Sequence, residues 1–390
     1  MEGNRKFIVE LMKKARFSIG ILFFICGLNF ATWATRIPDF KSILQLSDAQ
    51  LGTVLMGLPI GSLVSLPIAG WLLTKYASKW ISIIAVVMYV IVIPSLSFMD
   101  SAISLFVGLF FFGMAGDIMN IAMNTQVVSL EAKMNKIIMS SFHAVFSIGL
   151  MAGAFIGGIL EKEHFSTTEH FSLIAFSNVV LVPFSIRNLL TDKPIQDENK
   201  PKSSLFNLGS YLIILSFIAF CGMLCEGAMA DWISLYFKEF MPNSSFPITI
   251  GFSSFAAAMV LGRFLGDKIS LKYGVSTILI LNGLFVGIGM LITLLFASIY
   301  FKITGCFIIG LGISTIVPLI YSQAGSQKDI MPSIAIAGVS TIAYIGFLLG
   351  PVLIGYLSDF VGLDKALYLI VILGFIAAFI SKTWVAKNDH

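Results

Sequence analysis

Residues 148–160 read IGLMAGAFIGGIL and residues 345–357 read IGFLLGPVLIGYL, so Ile148, Gly149, Gly153, Gly158 and Leu160 return 197 residues later as Ile345, Gly346, Gly350, Gly355 and Leu357. The same step carries Gly108 and Gly113 onto Gly305 and Gly310, and Lys75 and Tyr76 onto Lys272 and Tyr273. Apolar sequence produces chance matches easily, but one register held through several apolar segments and a basic loop points to duplication. The chain is therefore expected to be built as two related halves.

What each half contains follows from composition. Hydrophobic residues make up 57% of the chain and charged residues 12%, about half the charge of a soluble globular protein. A membrane-crossing helix needs about 20 apolar residues to traverse roughly 30 Å of hydrocarbon. Apolar runs near 17–37, 49–73, 80–99, 102–127, 138–160 and 171–190 give six such helices. After a polar stretch at 191–208, six more are expected near 209–237, 247–267, 275–297, 303–324, 333–357 and 364–384. The expectation is an all-α membrane protein of twelve helices, with an N-terminal bundle over 1–190, a cytoplasmic linker over 191–208 and a C-terminal bundle over 209–390.

The basic residues mark topology. Alternate connections and the two termini carry 18 Lys and Arg, the opposite side carries 6, and Arg263 falls inside a helix; both termini are thus expected in the cytoplasm, with the bacterial inner membrane as the site. Arg5, Lys6, Lys13, Lys14 and Arg16 precede the first apolar run without a convincing cleavage site, so that run is read as the first helix and not a signal peptide. The net charge of +4 reflects these loop ends, and no nucleic-acid partner is expected. Cys26, Cys221, Cys225 and Cys306 all lie in apolar runs, where packing is expected and no disulfide. Cys221 and Cys225, with Met223 between them, could line a soft-metal path, but packing is the favoured reading and no metal site or cofactor is expected.

Parallel duplicated halves imply a pseudo-twofold axis along the membrane normal and a central solute cavity. Gly149, Gly153, Gly157 and Gly158, like Gly346, Gly350 and Gly355, give smooth helix faces for close packing or sliding. Pro318 and Pro351 are expected to kink the tenth and eleventh helices.

In its two six-helix halves, polar linker and basic loops after the second and eighth helices, the chain resembles the major facilitator superfamily of transporters over almost its whole length. Gly70, Leu72, Lys75 and Lys79 fit that family's loop pattern Gly-x-Leu-x-Asp-Arg-x-Gly-Arg-Arg, with Thr74 in the aspartate position. Gly262, Arg263, Gly266, Asp267 and Gly274 fit the related C-terminal pattern more fully. Trp33 with Arg36, Ile37 and Pro38, Asp117 with Ala122, Met123, Asn124 and Gln126, and Glu226 with Gly227, Asp231 and Trp232 resemble the bacterial YbjJ-type branch near the fucose permeases. That resemblance implies a proton-coupled symporter or exporter of sugars or similar polar or amphipathic compounds.

Ionisable groups in hydrocarbon cost about 2.5–3.5 kcal/mol to insert, so each calls for a partner or a task. Asp117, just past the middle of the fourth helix, is the first candidate for proton coupling; Asn120 and Asn124 share its face at i+3 and i+7 and would bind solute hydroxyls. Glu226 is a second coupling candidate, and His143 a third because an imidazole titrates near neutrality. Asn29, Trp33, Tyr321 and Tyr344, with Ser314, Thr315, Ser340 and Thr341, are expected to line the solute site, although Trp33 suits a membrane-interface anchor equally well. Arg36 and Asp231 are expected to pair as an outer gate, and Arg263 and Asp267, four apart on one helix, to form an inner one. A structural hydrogen-bond network is the plain alternative for each polar group.

No Gly-x-x-x-x-Gly-Lys-Ser/Thr loop, His-Glu-x-x-His motif or Gly-x-Ser-x-Gly elbow occurs, so neither ATP-driven pumping nor intramembrane hydrolysis is expected. The residues favour a monomeric, gradient-driven carrier whose partners are a small solute, a proton and the bilayer. The alternative is a sensor or scaffold that keeps the transporter fold without transport.

Overall fold

The computed structural model describes residues 2–134, 138–191, 209–241, 245–325, 327 and 332–385, without the side chains of 2–9, 140, 267, 332–334 and 337. The linker expected at 191–208 lies outside the described residues apart from Thr191. In chain order the helices are α1 (Glu2–Ala34), α2 (Ile37–Ile43), α3 (Asp48–Leu55), α4 (Gly57–Lys75), α5 (Ser78–Ser95), α6 (Ala102–Met134), α7 (Met139–Lys162) and α8 (Thr167–Ile186). They continue as α9 (Ser210–Phe240), α10 (Ile250–Tyr273), α11 (Val275–Leu295), α12 (Ile299–Ile313), α13 (Ile316–Gly325), α14 (Pro332–Val361), α15 (Leu363–Ala366) and α16 (Tyr368–Ile380). No β-strand occurs among the described residues.

Each of the twelve expected segments is helical. Among the described residues, eleven helical stretches are long and apolar enough to cross a membrane, and Ile250–Gly266 is a shorter apolar one. Without water in the hydrocarbon, helices keep every backbone bond internal, which is why long apolar runs take this form. Their ends are set locally: Ser47 and Gln50 form a capping box before α3, as Ser166 and Glu169 do before α8. Three breaks precede prolines. The first, second and tenth segments are interrupted at Thr35–Arg36, Met56 and Ser314–Thr315, ahead of Pro38, Pro59 and Pro318, because a proline cannot bond the carbonyl four residues before it and crowds it. Pro351, by contrast, is carried inside an unbroken α14.

The chain divides into two compact units, Met1–Asp39 with Gly57–Glu198, and Phe40–Met56 with Asn199–His390. In the first unit α1 packs on α7, α4 on α6, and α5 on α6 and α8. In the second, α9 packs on α14, α10 on α12, and α11 on α12 and α16. The duplication read from sequence returns as geometry. Gly113 is pressed on the Leu58 carbonyl of α4, and Gly310 on the Phe255 carbonyl of α10, both partners shifted by the same 197 residues. Gly149 meets the Phe24 carbonyl of α1 and Gly346 the Phe220 carbonyl of α9, leaving no room for a Cβ at either glycine. Backbone contact at glycine is how membrane helices pack when lipid offers no hydrophobic contrast.

Residues 40–56 belong to the second unit. There Gly52 lies on the Pro351 carbonyl of α14, and Lys41 bridges Asp48 and Glu239. The outside of both units carries large exposed apolar side chains, among them Phe17, Ile91, Phe111, Phe176, Leu271 and Phe360. Apolar surface this extensive is ordinary toward lipid and an aggregation hazard in water.

Candidate functional site

In the first unit the polar groups gather on α6. Asp117 is 7% exposed, and Ser65 of α4 donates its hydroxyl to Asp117 Oδ2 at 2.6 Å. The Asn120 side chain hydrogen-bonds Asp117 as well. Asn124 Nδ2 in turn donates to Asn120 Oδ1 at 2.9 Å and to its carbonyl at 2.8 Å. The i, i+3, i+7 stripe is thus one connected chain, with Asn120 and Asn124 half-buried. No Lys, Arg or His lies within ion-pair distance of Asp117 among the described residues. His143 is half-buried on α7, its ring edge-on to Phe23 of α1 at 5.5 Å between centroids.

Other first-unit candidates sit away from this stripe in their bonding. Asn29 is fully buried and accepts from Asn178 Nδ2 of α8 at 2.6 Å, so it ties α1 to α8. Trp33 is fully buried. Within its own unit the Arg36 guanidinium bonds Asp39, three residues on, with Nη1 donating to Oδ2 at 2.8 Å, and His170, whose Nδ1 accepts from Nε at 2.9 Å. Arg36 and His170 are both buried. Asp39 reaches Arg36 from the first turn of α2, and α8 supplies His170 by tertiary packing.

In the second unit Glu226 of α9 faces Arg263 of α10 at 3.5 Å, with side chains 23% and 15% exposed. The described ion partner of Arg263 is Glu226; the side chain of the same-helix Asp267 lies outside the described residues. Tyr321 of α13 hydrogen-bonds Ser340 of α14 and stands within electrostatic reach of Glu226. Tyr344 is half-buried on α14 and Asp231 half-buried on α9. Thr315 accepts from Asn282 of α11 at 2.8 Å.

Sequence reasoning missed Ser65, His170, Asn178 and the Glu226–Arg263 pairing. The only signal for Ser65 was a serine in an apolar helix, which is common. A buried cation also went unread: Lys302 donates to the Tyr236 hydroxyl at 2.6 Å and the Thr293 carbonyl at 2.9 Å, with its ammonium 4.8 Å from the Tyr236 ring centroid.

Twelve apolar helices in two duplicated units, each holding an ionisable cluster inside membrane-crossing segments, define a multi-pass membrane protein of the transporter kind. The Major Facilitator Superfamily profile matches residues 19–328, and the chain belongs to that family. It is 30% identical over 354 residues to an uncharacterized MFS-type transporter of Yersinia pestis, covering 90% of each chain. It is 28% identical over 362 residues to the membrane protein MosC of Rhizobium meliloti, covering 93% of this chain and 88% of that one. Among solved structures it resembles the nucleoside transporter NupG in a mutant form, at TM-score 0.77, 15% identity, 95% of this chain and 98% of that one. A bacterial homolog of the human lysosomal transporter Spinster matches at TM-score 0.75 and 14% identity, over 97% and 98% of the two chains. At such identities the structural likeness establishes the fold alone.

Proposed function

We propose that the chain is a proton-coupled secondary transporter that moves a small polar or amphipathic solute, sugar-like or drug-like, across the bacterial inner membrane by alternating access. It acts as a monomer with both termini in the cytoplasm, and belongs to the YbjJ-type branch near the fucose permeases. The observation that carries this reading is Asp117, a carboxyl group in the middle of a membrane-crossing helix whose partners among the described residues are a hydroxyl and an amide. An ionised carboxylate there costs several kcal/mol unless paired, and a bound proton removes that cost. Hydroxyl and amide groups each donate and accept, so they serve the charged and the neutral carboxyl alike.

The partly buried Glu226–Arg263 pair, with Tyr321, Ser340 and Tyr344, supplies carboxylate, guanidinium, hydroxyl and aromatic groups for solute recognition. Asn120 and Asn124 offer amides on the proton side. His143 stands as a secondary relay to water, Asn29 and Trp33 support the solute site from α1, and Arg36, Asp231, Arg263 and Asp267 tune the gates. Nucleosides head the candidate solutes beside sugars, since one structural neighbour is titled a nucleoside transporter.

The test is uptake into proteoliposomes under an imposed pH gradient, using whichever sugar, nucleoside or drug raises the thermal stability of the purified protein. Wild-type uptake should rise with the gradient and Asp117→Asn should lose that dependence. Undiminished gradient-driven uptake by Asp117→Asn would remove the carboxyl from the mechanism.

A further inference from the structure

Ser65 is fully buried, and its hydroxyl has two acceptors at the same distance: Asp117 Oδ2 at 2.6 Å and the Ser62 carbonyl at 2.6 Å. A hydroxyl carries one proton and two lone pairs, so it donates to only one of them at a time. We propose that Ser65 is a two-position hydroxyl whose proton follows the charge of Asp117. With Asp117 ionised, Ser65 donates to Oδ2. When a proton arriving from water binds Oδ2, the new acid O–H donates to Ser65 Oγ, and Ser65 turns its own proton to the Ser62 carbonyl. One O–H bond forms on Asp117 and none breaks in the protein. The carboxyl stays hydrogen-bonded in both states, and α4 gains or loses a side-chain bond at Ser62 each time.

That turn is suited to register the change. Ser62 also donates its own hydroxyl across to the Gly113 carbonyl of α6 at 3.2 Å, and Pro67 removes a backbone donor just beyond. The titratable groups around Asp117 are Cys26 of α1, within electrostatic reach, and Tyr89 of α5, whose ring lies on Gly116. Its hydrogen-bonding neighbours are Ser65 of α4 and Asn120 of α6; α7 brings no group that acts on it among the described residues. The duplicated positions supply a control within the same chain. One 197-residue step on, Gly262 lies against the Ser314 side chain, whose hydroxyl donates to the Leu311 carbonyl at 2.7 Å. The two-acceptor arrangement accompanies the acid.

Ser65 acts through Asp117 and is a positioning residue; the inference rests on the coupling role of Asp117. The experiment needs no solute. The full chain in liposomes is titrated by infrared difference spectroscopy, and the carboxyl band lost in Asp117→Asn is assigned to Asp117. Ser65→Ala should move that band to higher wavenumber and displace its midpoint by about one pH unit, tenfold in proton affinity, while Ser65→Thr restores both. Should Ser65→Ala not fold, Ser65→Cys, a weak donor of similar size, should give the same displacement. An Asp117 band indifferent to every Ser65 variant overturns the switch and leaves the coupling role standing. If Asp117→Asn removes no titrating band, the coupling role falls, and the switch with it.

Discussion

The two units hold their membrane carboxyls in opposite ways. Among the described residues, Asp117 in the first is partnered by neutral groups, whereas Glu226 in the second has a guanidinium at 3.5 Å. The packing beneath is alike, since Gly113 on Leu58 and Gly310 on Phe255 are the same contact one step apart. The positions equivalent to Ser65 and Asp117 are Gly262 and Ser314, and Leu105 stands where the second unit has Lys302. Duplication thus kept the helix crossings while the charges diverged. Packing depends on volume at a contact, which both copies need; charge depends on a task, which only one copy has to perform.

The largest test of that division is functional. Asp117→Asn should cut pH-driven uptake by at least about 100-fold, the scale on which a positioned proton-transfer group acts, while leaving thermal stability in detergent nearly unchanged. Glu226→Gln should behave the other way in stability. It removes the carboxylate facing the Arg263 guanidinium, and for this partly exposed pair a loss of about 2 kcal/mol is expected in denaturant unfolding. Adding Arg263→Gln should recover part of that loss, and strict additivity would show that the two do not interact.

If packing is the shared feature, Gly149→Val and Gly346→Val should destabilise by similar amounts, each about 1–3 kcal/mol from overpacking against the α1 and α9 backbones. A large difference in melting temperature between them would break the parallel. The smallest effect is expected from Lys302→Leu, which gives the second unit the residue of the first. The Tyr236 hydroxyl keeps its bond to the Thr293 carbonyl at 3.2 Å, so unfolding free energy should change by less than about 1 kcal/mol.

Much of the molecule was legible in the chain. Twelve apolar runs became helices at the expected places because span length and hydrocarbon thickness leave little choice. The stripe Asp117, Asn120 and Asn124 was legible because one helix face fixes all three. Pro318 and Pro351 were both read as kinks; the helix breaks ahead of Pro318 but runs unbroken through Pro351, because neighbouring packing decides whether a proline's lost bond is tolerated. Pairings between helices were read less well. Arg263 was matched to Asp267 by spacing along one helix, and its contact with Glu226 of α9, which depends on how two helices are rotated against each other, was not read.

By itself, then, the sequence determined the solvent, the number of crossings, the duplication and the single-helix polar stripe, all of which follow from composition and from spacing along one helix. Only the tertiary structure decided which polar groups from different helices meet: Ser65 with Asp117, Glu226 with Arg263, Asn29 with Asn178. Those meetings depend on the azimuth and depth at which helices pack, and that is set by glycine contacts and apolar shape far along the chain from the groups being joined.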